Sequence, residues 1–526
     1  MDRGKLGMAG VEHSHGVTRS LGMLLEGLDI QESHGDLRAP VGGIVYDSRQ
    51  VGPGDVFVAL RGTHVDGGAF IPDAIRRGAR AIIAESCPNG FPHGTCLRVP
   101  DSRRALARLA VNFYEDPSRS FQLIGVTGTN GKTTTTLLME SIFEHAGGLV
   151  GIIGTLGYRW ADKLETASMT TPESVDLQRI FSQMRRHRIT HVVMEVSSHA
   201  LAQRRVEGCL FDAAVFTNLS QDHLDFHSTM EDYFSAKTLL FSDDVSTRAE
   251  GFLSVVNTDD PYGKSLSQGI TENLWSYSAR SRDARVWVKD VELRPSGIRT
   301  RLSTPHGELE VSSPLLGRLN LYNILAAATA ALAMGISKEA IVEGLSAVSS
   351  VDGRLQRVPV PTEWGFEVVV DYAHTPDAME KALSCLKEMS RGRILVVFGC
   401  GGDRDRSKRP LMGRIAAELG DLVILTSDNP RSEVPETIVK DIEAGVEDCG
   451  LSYHPRDEHT PETRVYTIEV DRKRAIELAL SWARPGDVVF IGGKGHETYQ
   501  IVGSRVLPFD DRLVVRDYVQ AAKGVQ

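Results

Sequence analysis

No run in this chain is apolar for long enough to cross a bilayer. The longest, ILAAATAALAMGI from Ile324 to Ile336, falls short of the roughly 20 residues a spanning helix needs, so a buried helix and no membrane association are expected. Basic residues are not in excess. With 59 Lys and Arg against 69 Asp and Glu, the net charge is -10, which argues against a general nucleic-acid binder because phosphates call for a basic face. Any anionic ligand must therefore be held locally. Cysteine is sparse: the six, at 87, 96, 209, 385, 400 and 449, make no CxxC pair and no zinc spacing, and all are expected as reduced thiols of a cytoplasmic protein. The first twenty residues, MDRGKLGMAGVEHSHGVTRS, lack an apolar segment and read as a disordered lead-in, not a signal peptide. No repeat of fixed period is seen.

What is present suits a globular α/β protein. Hydrophobic residues make up 41% and charged ones 24%, and a chain of 526 residues exceeds one core, so about three domains of ~150 residues are expected. After the lead-in, a first segment (21–118) has short strand-like runs, GGIVYDSR and GDVFVALRG, and the helical SRRALARLAVNFYEDP. Asp116-Pro117 marks its end. A second (119–350) opens with FQLIGVTGTNGKTTTTLLMESIF and continues through THVVMEVSSHAL, DAAVFTNLSQDHLDFH and GFLSVVNTDD. The third (351–526) carries FEVVVDYAHTPDAMEKAL, GRILVVFGCGGDRDRSKRP, DLVILTSDNPRSE and GDVVFIGGKGHETYQ. Apolar runs closing in polar residues and alternating with helices predict doubly wound parallel sheets, with the polar tails at one rim of each. A site between two such rims is expected.

TGTNGKTTTT is the strongest local signal. Between a strand and a helix, Gly128, Thr129, Asn130 and Gly131 let backbone N–H groups approach phosphate oxygens. Lys132 then reaches the phosphates, the Thr133 hydroxyl binds Mg²⁺, and Thr134 follows in the helix. The pattern GxxxxGK[ST] is not strictly met, since Val126 holds its first glycine position. Glu195 and His223, each after an apolar run, are candidate magnesium ligands; singly, either could be a solvated loop residue.

TGTNGKTTT, MEVSSHAL, TNLSQDHLDFH, FSAKTLLF, GRLNLYNILAA, VDGR and VVDYAHTPDAM, in this order over roughly residues 42–512, resemble the Mur ligases of peptidoglycan synthesis. The resemblance implies three domains: an N-terminal UDP-binding α/β domain, a central P-loop parallel-sheet ATPase domain and a C-terminal Rossmann-like domain. It implies an ATP-dependent amide ligase acting on UDP-N-acetylmuramoyl-L-alanyl-D-glutamate (UDP-MurNAc-L-Ala-D-Glu) through an acyl phosphate. Lys132, Glu195, His223 and Lys237 match catalytic positions, with Mg²⁺ held by Thr133, Glu195, His223 and Lys237. Lys237 matches the position of an N-carboxylated lysine, whose carbamate can ligate a cation as plain lysine cannot. Asn218, Asn323, Arg354 and Asp371 match further ATP contacts, whose joint use implies closure on the nucleotide. For the UDP-sugar peptide the matching positions are Ser48, Thr63, His64, Val65, Thr170, Thr171, Ser197, Gln203 and Arg205; without the family, Thr-Thr-Pro reads as a helix N-cap.

For the incoming amine, three polar tails bring Arg404, then Asp428, Asn429, Pro430 and Arg431, then Gly493 and Glu497. By itself DNPR reads as a turn. The resemblance makes it the mark of meso-diaminopimelate, because an arginine there would repel the bare ammonium of L-lysine. L-lysine as substrate, a folylpolyglutamate-synthase-like ligase, a P-loop phosphoryl-transfer or switch ATPase and a silent nucleotide-binding module are the alternatives. A monomer is expected.

Overall fold

The apolar runs that close in polar residues form parallel strands, and the strand order decides which polar tails meet. The computed structural model describes residues 18–62, 66–87, 95–223, 226–242, 247–294, 297–456, 461–462 and 464–524. It divides into two units, one of Met1–Leu219, His223–Tyr277 and Ala326–Ile341, the other of Ser220–Asp222, Ser278–Leu325 and Val342–Gln526.

Two sheets dominate the first unit among the described residues. The smaller has the order Glu32–His34, Thr95–Arg98, Ala81–Ala84, Val56–Val58, Ile44–Val45, parallel except at its first pair. Helix Ser102–Tyr114 covers it: Asp101 caps two backbone N–H groups, and Ala105, Leu106, Leu109, Ala110 and Phe113 recur at helical spacing to bury one face. Arg19 and Ser20, expected in the disordered lead-in, instead pair with Val41 and Pro40.

One expectation is corrected here. Cys87 and Cys96 form a disulfide with Cα atoms 6.3 Å apart, so six reduced thiols are not what the structure contains. Cys96 lies in the strand that pairs with Ala81–Ala84, and Cys87 comes just past the end of that neighbour, after Glu85 and Ser86. Sheet pairing therefore brings together two cysteines that no spacing rule connects.

The larger sheet runs Lys163–Glu165, Gly157–Trp160, Val150–Gly154, His191–Glu195, Gln122–Thr127, Leu210–Phe216, Thr247–Asn257, Leu274–Ser278. From Val150–Gly154 onward its pairs are parallel. Gln122–Thr127 lies inside, with Glu195 in register with Val126 and Phe216 with Thr127. Both neighbours thus end beside the phosphate loop.

In the second unit, strands Val286–Arg294, Gly297–Thr304 and Gly307–Ser313 make an antiparallel meander that the expectation of parallel sheets leaves out. Its alternation is visible in Leu309, Val311 and Ser313, buried between exposed neighbours. A second sheet has the order Gln356–Val358, Glu367–Asp371, Val488–Gly492, Ile394–Phe398, Leu422–Leu425, Val465–Ile468, Ser452–Tyr453. Cores on both faces explain its unbroken apolar strands. Gly492 is in register with Asp371 and with Phe398, and Phe398 with Leu425, so their polar tails share one rim. The run from Ile324 is a buried helix, Gly317–Ala333. Among the described residues no helix is long and apolar enough to cross a membrane.

Candidate active site

The phosphate loop is shaped by its neighbour strand. Gly128 has φ of 140°, and a Cβ there would meet the Thr217 hydroxyl at 2.0 Å, so only glycine fits. Asn218 clamps the loop: its side chain accepts from the Asn130 N–H (3.0 Å) and donates to the Asn130 carbonyl (3.1 Å), and its own carbonyl accepts from Thr129 N–H (2.9 Å). Lys132 opens helix Lys132–His145 and folds back, donating to the carbonyls of Gly128 (2.9 Å) and Thr129 (2.8 Å). Thr134 is buried in the first turn.

Thr133 and Glu195 meet. The hydroxyl lies 3.0 and 3.1 Å from the two carboxylate oxygens, and Glu195 is 2% exposed. Thr155 adds its N–H (2.9 Å) and hydroxyl (3.2 Å) to the same carboxylate. Lys237 is not a surface lysine: it is 1% exposed, donates to the Gly128 carbonyl (2.9 Å) and lies 4.6 Å over the Tyr233 ring. Tyr233 in turn meets the Thr129 hydroxyl at 3.2 Å. His223, in a left-handed conformation (φ 55°), belongs to an aromatic cluster, its ring 4.9 Å from His199 and 6.0 Å from Tyr233. Among the described residues no three His, Cys, Asp or Glu side chains gather into a metal cage. A hydroxyl beside a buried carboxylate is nevertheless a hard-oxygen pair that fits Mg²⁺, an ion usually completed by water and substrate phosphates.

The same unit gathers the residues assigned to the UDP-sugar peptide. Helix Ser174–Arg186 is N-capped at Glu173, so Thr171 is not a cap; its hydroxyl donates to the Glu195 carbonyl (2.8 Å) and accepts from Ser197 N–H (3.1 Å). The Thr170 hydroxyl meets that of Thr155 at 3.2 Å. Arg205 donates to the Thr171 carbonyl (3.0 Å) and the Gln203 amide (2.7 Å) and pairs with Glu173 at 3.0 Å. Ser48 is buried in a 3-10 turn of the smaller sheet's domain. Thr63, His64 and Val65 lie outside the described residues.

In the second unit, Asp371 accepts from the N–H groups of Leu355 (2.6 Å) and Ala373 (2.8 Å). Burial pushes its carboxyl up, opposed by Arg354, whose guanidinium lies 5.1 Å over the Tyr372 ring. His496, its ring 4.9 Å from that of Tyr372, is pulled down to about 4 by burial and then by Arg354 and Arg512. Asn323 is buried in the apolar helix and donates to Asn320 at 3.0 Å.

The rim of the second sheet joins the three tails. Arg431 is left-handed (φ 52°), held by Ile501 O and Gly503 N at 3.0 and 2.7 Å, and donates to Gly402 O at 2.7 Å. Asp428 and Asn429 are buried. Asn429 donates to Glu497 (2.8 Å) and accepts from Ile501 N–H (2.9 Å) and Lys494 (3.1 Å). A Cβ on Gly493 would meet an Asp428 oxygen at 2.6 Å, and Arg404 stands exposed. A wholly buried Arg472–Asp511 pair (2.7 and 2.8 Å) supports the rim, Arg472 donating to Gly492 O at 3.0 Å.

Comparison with known proteins gives matches over most of the chain. The Mur ligase family catalytic domain matches residues 40–114, the Mur ligase middle domain 126–331, and the Mur ligase glutamate ligase domain 353–495. A Gloeobacter violaceus protein named UDP-N-acetylmuramoyl-L-alanyl-D-glutamate--2,6-diaminopimelate ligase is 49% identical, covering 91% of this chain and 93% of its own.

The chain belongs to the Mur ligase family.

A relative of the same name from Geobacter metallireducens is 46% identical over 91% of this Mur ligase and 94% of its own length. A solved structure so named superimposes with a TM-score of 0.68 at 32% identity, covering 96% of this chain and all (100%) of that one. Three participants escaped sequence reasoning: Thr155 on Glu195, Tyr233 under Lys237, and Lys494. Only Lys494 leaves a signal, a lysine between glycines after an apolar strand.

Proposed function

We propose that this Mur ligase joins meso-diaminopimelate to UDP-MurNAc-L-Ala-D-Glu with hydrolysis of ATP to ADP and phosphate, in the cytoplasm. The observation that carries the reading is the 46 to 49% identity, over nine-tenths of the chain, to ligases bearing that name. In this reading residues 21–118 take the UDP-sugar, 119–350 the ATP and 351–526 the amino acid.

The free carboxylate of the substrate attacks the γ-phosphorus, the bond to the ADP oxygen breaks, and an acyl phosphate forms. The amine then attacks the carbonyl carbon, loses a proton, and the tetrahedral intermediate expels phosphate to leave the amide. The loop N–H groups and Lys132 serve the first step by opposing charge on the transferred phosphoryl group. Thr133 and Glu195, with His223 and a carbamate on Lys237, would hold Mg²⁺, which supplies charge neutralisation at phosphate oxygens. Arg205, with Thr170, Thr171, Ser197 and Gln203, offers a guanidinium and hydroxyls to the peptide's anionic groups, and Ser48, Thr63, His64 and Val65 take the UDP. Asn218 acts by shaping the loop, whereas Asn323, Arg354 and Asp371 contact the nucleotide. Arg404 and Arg431 bind the carboxylates of diaminopimelate, and Asp428 and Glu497 its ammonium groups.

Phosphate release measured with ATP, Mg²⁺ and UDP-MurNAc-L-Ala-D-Glu should be strongly stimulated by meso-diaminopimelate and only weakly by L-lysine. Release with lysine alone would overturn the substrate assignment. Release that no amine stimulates would favour the switch ATPase.

A further inference from the structure

Lys494 is a fully buried lysine, 0% exposed, among acids. Its ammonium lies 3.2 Å from Glu497, 3.8 Å from Asp428 and 3.1 Å from the Asn429 amide oxygen. Glycines on both sides, with φ of 111° and 53°, put it there. A Cβ at the second, Gly495, would meet Tyr372 at 2.6 Å. A buried ammonium is retained only where paired and hydrogen-bonded. With no exposed surface, Lys494 has no face to offer a substrate.

The surrounding charges can be added up. Asp428 and Glu497 contribute two negative charges, Lys494 and Arg431 two positive. The buried Arg472–Asp511 pair adds none. The same charges act on one ring: at Tyr499, burial first and then Glu497 and Asp428 push the hydroxyl up while Arg431 pulls it down, and the Lys494 ammonium is 5.8 Å from that ring's centroid. Leaving aside the exposed Arg404, these four charges sum to zero.

Resting on the diaminopimelate reading above, we propose that Lys494 is a specificity-setting positioning residue. Its charge balances the second carboxylate, so that the site favours an amino acid whose far end is zwitterionic over one ending in a bare ammonium. Without Lys494 the cluster would carry one uncompensated negative charge and suit a cationic end. It also holds Glu497 and Asn429 in the geometry that receives the ammonium.

The test uses the full chain and steady-state kinetics with each amine. Lys494→Met should lower the ratio of kcat/KM for meso-diaminopimelate to that for L-lysine by about tenfold or more, as expected for one charge at this range. KM for ATP and for the UDP-sugar peptide should stay within about twofold, because neither contacts this cluster. Lys494→Arg, which keeps the charge, should keep the selectivity. The proposal is overturned by an unchanged ratio in Lys494→Met, by Lys494→Arg losing selectivity as far as Lys494→Met does, or by all three KM values rising together with a fallen melting temperature. If Lys494→Met does not fold, Lys494→Gln takes its place and decides: a lowered ratio supports the proposal, and an unchanged ratio overturns it. A wild-type chain that does not use meso-diaminopimelate overturns the substrate reading, and this inference with it.

Discussion

Lys132→Met should lower kcat for phosphate release by about a thousandfold while the chain stays folded. The ammonium sits over its own loop, bonded to the Gly128 and Thr129 carbonyls, at the start of a helix whose N-terminus faces the same way. A phosphoryl group placed on that loop meets backbone N–H groups, the helix dipole and one cation. Of these, only the cation is removed by methionine, which keeps most of the aliphatic stem. The stability change should therefore be small, within about 1 kcal/mol. Melting temperature and nucleotide binding, measured beside turnover, separate lost chemistry from lost folding. A kcat within tenfold of wild type would show that charge does not develop at this loop.

Arg431→Ala should reduce kcat/KM for meso-diaminopimelate by about a hundredfold or more, as when one partner of a desolvated charge pair is removed. ATP affinity should not change. The arginine is set up for recognition by its backbone: φ is 52°, and the strand Tyr499–Val502 and the turn after it hold it through Ile501 O and Gly503 N. Gly401 must be small, since a Cβ there would approach the guanidinium to 2.9 Å. Alanine would occupy the same strained conformation, so both chains bear the same backbone cost and the difference reports the side chain. The small activity with L-lysine should be unaffected or rise, because a repulsive cation has gone. Unchanged kinetics with diaminopimelate would return DNPR to being a turn and no more.

What could be read from the chain beforehand followed from one rule, that parallel strands present their polar tails at one rim. It located Glu195 beside Thr133 and placed Asp371, Asp428 and Gly493 at a shared edge, while the length of the apolar run alone identified the helix from Ile324. It said nothing about how those side chains are used. Asn218 looks like a nucleotide contact in the sequence, yet its amide is occupied in shaping the loop. Thr171 looks like a helix cap but bonds to the neighbouring strand instead, because the helix starts later, at Ser174. The Cys87–Cys96 pair and the brace in which buried Arg409 joins Glu433 (2.8 Å) and Asp441 (2.8 Å) depend on tertiary approach, which no local pattern encodes. The antiparallel meander was legible in its alternation but carried no motif to draw attention to it.

The central claim, that an acyl phosphate links ATP cleavage to amide formation, is tested most directly by isotope transfer. UDP-MurNAc-L-Ala-D-Glu carrying ¹⁸O in the reacting carboxylate is incubated with ATP, Mg²⁺ and meso-diaminopimelate, and the released phosphate is examined by mass spectrometry. The account predicts one ¹⁸O per phosphate, carried over from the carboxylate, in step with amide product. Phosphate whose new oxygen comes from solvent water, with the carboxylate label retained in the peptide, would contradict it.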